Sequence, residues 1–79
     1  MATNGWAARV QAGRYQTDIV YVGVDAQADA RKWIERQLEL ALEERETVVL
    51  VHLWPVDEGG KRCGDRIDVL EGLRAVRYV

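Results

Sequence analysis

Between Asp25 and Arg45 the apolar residues recur every three or four positions, and this spacing constrains the chain more than any other feature. At 100° per residue, Ala26, Ala30, Trp33, Ile34, Leu38, Leu40 and Ala41 fall on one broad face, with Lys32, Glu35, Arg36, Glu39 and Glu43 opposite. The pattern predicts one amphipathic helix lying on an apolar surface. Asp25 stands where a side-chain oxygen can accept from the free N–H groups of the first turn, so it is the expected N-cap. Ala26, Ala28 and Ala30 permit close approach to a sheet, and Trp33 is expected to anchor the core. Gln37 projects from the middle of the apolar face, where its amide needs partners or a wet edge.

The charges of this run oppose the helix dipole. Arg31, Lys32 and Arg36 come early, while Glu39, Glu43, Glu44 and Glu46 crowd the negative end. Glu35, Glu39, Glu43 and Glu46 read as one acidic stripe at successive turns. The stripe is either a solvated face or a docking surface for a basic partner.

The flanking segments have strand periodicity. Trp6 to Gln11 alternates, Ala12-Gly13 suits a tight turn, and Ile19 to Val24 is strongly β-forming with both sides apolar. After the helix, Thr47 to Trp54 is the clearest strand, with Val49, Val51 and Leu53 facing one way and Val48, Leu50, His52 and Trp54 the other. Pro55 has no N–H for a ladder, so pairing should weaken there. A Gly59-Gly60 turn predicts a hairpin with Glu58 opposite Lys61 and Asp57 opposite Arg62. Arg66 to Leu70 reads either as a short strand with Gly64 as a bulge or as a helical turn begun by Asp65, and Leu73 to Val79 alternates like a final strand.

The expectation is therefore an α+β fold of order ββαββ, one amphipathic helix on a small antiparallel sheet, with residues 1–79 forming a single domain. A crossover through the helix that skips the first strand places that strand between the second and third. One helix covers one side of such a sheet, yet two strands are apolar on both sides. Each large apolar side chain left in water forfeits on the order of 1.5–3 kcal/mol, and contiguous apolar patches mark contact surfaces. The expected outcome is a homodimer through Val48, Leu50, His52 and Trp54. The alternative within one chain has the C-terminal segment folding back over that face.

Charge and composition narrow the chemistry. The net charge is −2, divided as +1 over residues 1–24, −3 over 25–46 and zero over 47–79. This is not the footprint of a nucleic-acid binder. The chain has no serine, which removes Ser-His-Asp catalysis, and Cys63 with His52 lacks a specified third residue to orient the base. No zinc or calcium spacing is present, although Asp57, Glu58, Asp65 and Asp68 lie close enough in sequence to be considered for a cation. Gly59-Gly60-Lys61 is not a phosphate loop, because Pro55 stands where its first glycine belongs and Arg62 where Ser or Thr should follow the lysine. One cysteine fits a reducing compartment, and no apolar run is long enough to span a bilayer. Catalytic, metal and cofactor assignments are all empty, and a cytoplasmic location is expected.

These features predict a small non-enzymatic protein–protein interaction module that dimerises and docks its acidic stripe on a basic surface of another protein. An inhibitor or regulator of the kind phages encode is a possible embodiment, by analogy of shape alone. The alternative is an RNA- or DNA-binding module using Lys61, Arg62, Arg74 and Arg77, with Arg66 beside them and Trp54 or Tyr78 for stacking.

Overall fold

The computed structural model describes residues 3–71. The elements in chain order are β1 (Gly5–Ala12), β2 (Tyr15–Val22), α1 (Ala26–Glu43), β3 (Val48–Val56) and β4 (Ile67–Asp68). They form a four-stranded antiparallel sheet of order β2-β1-β3-β4 with the helix on one side, an α+β arrangement as expected. The first strand does lie between the second and third. The proposed final strand Leu73 to Val79, with Arg74, Arg77 and Tyr78, lies outside the described residues.

β1 and β2 are joined by the two-residue loop Gly13-Arg14, in which Gly13 has a φ of +58°. A tight hairpin needs a positive φ at its first loop position, and glycine adopts it without steric cost. The helix turns Ala26, Ala30, Ile34 and Ala41 inward, whereas Ala28, expected to approach the sheet, is exposed. Ala8 and Val10 of β1, Val51 and Leu53 of β3, and Ala30 and Ile34 of α1 form the core, with Trp6, Ile19, Tyr21, Trp33, Leu38, Val69 and Leu70 packed around it. Trp33 is thus a half-buried flank of the core. Leu40, expected on the apolar face, is 42% exposed.

Both helix ends depart from their simplest form. Asp25 is the N-cap residue, but its carboxylate makes no capping hydrogen bond; its backbone carbonyl accepts from the Asp29 N–H. At the other end Glu46 N–H donates to Ala41 O and Arg45 N–H to Leu42 O, the paired closure of a Schellman motif. Arg45 occupies its left-handed position with φ +57°. Glu46 therefore lies past the helix end and does not continue the line of Glu35, Glu39 and Glu43.

A bulge in β3 corrects the expected facing of that strand. Gln11 pairs with Leu50 and Ala12 with Val48, so Val49 is the extra residue and is exposed. The alternation consequently inverts across it. Val48 joins Val51 and Leu53 on the helix side and packs against the core, while Leu50, His52 and Trp54 stay on the helix-free face. Val48 is thus removed from the surface first assigned to it.

The Gly-Gly hairpin is also shifted by one residue. Val56 bridges Arg62, Asp57 N–H donates to Lys61 O, and Gly60 N–H donates to Asp57 O. Asp57 therefore faces Lys61, and Glu58 belongs to a three-residue loop closed by Gly60 at φ +79°. The cause is local: the Asp57 carboxylate accepts from the N–H groups of Gly59 and Lys61, tying up a wider loop than a two-residue Gly-Gly turn. Pro55 O accepts from Cys63 N–H and Pro55 has no N–H to return, so pairing next to it is reduced to the Val56–Arg62 bridge, as expected.

Arg66 to Leu70 contains both alternatives in succession. Ile67 and Asp68 pair with Leu53 and His52, after which Val69 to Glu71 forms a helical turn. Asp68, rather than Asp65, begins that turn, its carboxylate accepting from Glu71 N–H. Gly64 lies outside the strands, and a Cβ there would come within 2.7 Å of the Pro55 ring. Val69 and Leu70 pack on the helix side of the sheet, so this part of the C-terminal segment does not cover the helix-free face.

Candidate interaction surfaces

Three surfaces remain once the core is built: the helix-free face of the sheet, the outer edge of β2 with the groove beside it, and the exposed side of α1.

On the helix-free face, the pairing of Arg9 with Asp18 on one side and His52 on the other aligns the three side chains across β2, β1 and β3. Arg9 and Asp18 form a two-pronged ion pair, Nε to Oδ1 and Nη2 to Oδ2, both at 2.8 Å. Hydrogen bonding to Arg9 lowers the Asp18 pKa, partly opposed by burial; the same bond raises that of Arg9. Arg9 also lies 5.5 Å from the centre of the Trp54 ring, and Arg66 lies 5.7 Å from it. Trp54 is thereby half-covered by charged side chains. This lowers the cost of an uncovered indole, and the sequence alone did not reveal it because Arg9, Trp54 and Arg66 are far apart in the chain. Val20 and Val22, on the same face at the sheet edge, have no such cover and are 52% and 69% exposed.

β2 forms one margin of the sheet, and among the described residues no strand pairs with its outer side. Beside it runs a groove of about 460 Å³ lined by Tyr21, Trp33, Lys32, Glu35, Arg36 and Glu39, with Asp29 at one end. Toward the other end of β2, Tyr15 and Thr17 share a smaller hollow with Gln37 and Leu40. Gln37 is thus at a wet edge. Glu35, Glu39 and Glu43 are exposed, but the first two share their groove with Lys32 and Arg36, so the surface there has mixed sign.

The remaining assigned residues are scattered. Lys61 and Arg62 are exposed on the short hairpin, away from the ion-pair row, and Arg66 is engaged with Trp54. Arg74 and Arg77 lie outside the described residues. Cys63 is half-buried with its sulfur 3.9 Å from the Thr3 hydroxyl, and no hydrogen bond joins it to His52 among the described residues. Asp57 and Asp68 bind backbone N–H groups in their own turns, and among the described residues no three His, Cys, Asp or Glu side chains gather as a metal site would require. No helix among the described residues is long and apolar enough to cross a membrane.

Comparison with known proteins adds no constraint: no protein-family profile matches the chain, nor does any curated protein or solved structure.

Proposed function

We propose that this chain is a non-enzymatic protein-interaction module that acts as a homodimer, in a reducing compartment such as the cytoplasm. One observation carries the reading. Apolar surface is left open where the helix cannot reach, with Val20 and Val22 exposed on β2 and, across β1, Leu50 and Trp54 half-exposed on β3. His52 lies between them. Association would return these side chains to an apolar setting at roughly 25 cal/mol per Å² removed from water. A second, basic partner would meet the acidic end of α1 at Glu43 and Glu44, beyond the mixed-sign groove. Occupying another macromolecule's surface in this way is how a small regulator or inhibitor works without chemistry.

Light scattering across a concentration series tests the central claim: a mass of two chains in the micromolar range is the expected result, and a single-chain mass at every concentration would remove it. Nucleic-acid binding through Lys61 and Arg62 is the rival reading. A gel shift at low salt separates the two, since a phosphate binder loses affinity steeply as salt rises.

A further inference from the structure

β2 is the longer of the two edge strands of the sheet, and its composition is unusual for an edge. Natural edges are blunted by proline, lysine, bulges or very short strands. β2 has none of these. It runs eight residues, Tyr15–Val22, without interruption, and its one charged residue, Asp18, is held by Arg9. We propose that β2 pairs antiparallel with β2 of a second copy of this chain, joining the two sheets into one of eight strands. The proposal rests on the homodimer reading above; it gives Val20 and Val22 partner neighbours across the seam, whereas Leu50 and Trp54 lie two strands away from it.

The hydrogen-bond parity of the hairpin says which groups are free. Gly23 N–H donates to Asn4 O in the same register that pairs Ala12 with Tyr15. Bonded pairs alternate along an antiparallel ladder, so odd-numbered residues of β2 bond inward to β1. The N–H and C=O groups of Gln16, Asp18, Val20 and Val22 therefore point outward.

A symmetric dimer needs a two-fold axis through the strand pair. Placing it at Ile19 sets Asp18 opposite the partner's Val20 and Gln16 opposite the partner's Val22. All four outward residues then exchange bonds, and no acid faces an acid. The same axis can be checked against the helix. Tyr21 shares a groove with Lys32, Trp33, Glu35, Arg36 and Glu39, and Thr17 shares a hollow with Gln37, so Ile19 lies beside the middle of α1. A two-fold there sets Lys32 against the partner's Glu39 and Arg36 against the partner's Glu35. With α1 packed over β1 and β2, strands about 4.8 Å apart put the two helix axes roughly 10–12 Å from each other, within reach of these long side chains. The helix charges are thus complementary about the axis that the strand register selects.

The test combines hydrogen exchange by NMR with light scattering on the full chain. In the dimer the N–H groups of Gln16, Asp18, Val20 and Val22 are expected to become protected as concentration rises, while those of Thr17, Ile19 and Tyr21 are protected throughout. Val20→Pro, which removes one outward donor and spares the inward ladder, is expected to weaken association at least tenfold. Should that variant fail to fold, charge exchange decides: Lys32→Glu and Glu39→Lys each weaken the dimer, and the double variant restores it. A dimer in which the four outward amides still exchange freely, or in which the double variant is no tighter than the singles, would overturn the edge pairing while leaving self-association intact. A monomer at all concentrations overturns both.

Discussion

Replacing Arg45 by glycine should make this protein more stable, although it deletes a cation from just beyond the negative end of a helix. Arg45 has φ +57° and closes the helix through its N–H to Leu42 O. A side chain in the left-handed region costs roughly 1–2 kcal/mol from the clash of Cβ with the following carbonyl. Glycine removes that clash but adds about 0.4–1 kcal/mol of unfolded-chain entropy, and losing the favourable charge costs about 0.3 kcal/mol. The last turn of α1 has no basic residue to take over that role. The balance is a gain of roughly 0.5 kcal/mol, or about 2–4 °C in melting temperature for a domain of this size. Circular-dichroism melts should compare the wild type, Arg45→Gly and Arg45→Ala at one protein concentration, because association would itself raise the midpoint. Alanine keeps the left-handed strain and loses the charge, so it should melt at or slightly below the wild type. If glycine and alanine shift the midpoint equally, backbone strain at this position is not what the substitution relieves, and the reasoning fails.

Other perturbations test the packing and the ion pair. Leu53 is fully buried between β1 and α1, so Leu53→Ala should cost about 2–5 kcal/mol, read as a fall in the urea midpoint large enough to leave much of a small domain unfolded. Gly13→Ala must place a Cβ at φ +58° against the Glu46 carboxylate and should cost roughly 1–2 kcal/mol, whereas Gly59→Ala, with only the Asp57 carboxylate oxygen at 3.4 Å, should change the melt little. Asp18 has a lowered pKa in the folded chain. Its contribution is therefore present above the unfolded value of about 3.9 and is lost as pH falls through the folded value. Both partners are partly exposed, so the effect is a few tenths of a kcal/mol, and it should appear as a steeper acid-side loss of stability in the wild type than in Asp18→Asn.

The elements visible in the sequence were those whose signal is local and periodic. The helix could be placed because Ala26, Ala30, Ile34 and Ala41 repeat at helical spacing, and these are the residues the structure buries. The strand after it could be seen in its run of β-branched residues, and its alternation from Leu50 to Trp54 could be read as well, but the facing of its first two residues could not. A single bulged residue, Val49, turns Val48 to the opposite side, and no spacing rule marks which of several similar valines will be extra. The hairpin register was missed for a comparable reason: the Asp57 side chain, not the Gly-Gly pair, sets the loop length.

The candidate surface shows the same division. An excess of apolar surface over what one helix covers follows from counting residues on both sides of two strands, and needs no coordinates. Where that excess remains open is another matter. Trp54 looked bare in the sequence, yet Arg9 and Arg66 reach it across the sheet, whereas Val20 and Val22 on the outer strand have no neighbour to do so.

By itself, then, the chain's pattern of apolar and polar residues determined one helix, an antiparallel partner sheet and more apolar surface than the helix can cover, because each of these depends on periodicity over neighbouring positions. Only the tertiary structure decided where the third strand bulges and which arginines shelter the tryptophan. Those outcomes depend on pairing between residues distant in the chain, where one inserted residue or one turn moves every contact that follows.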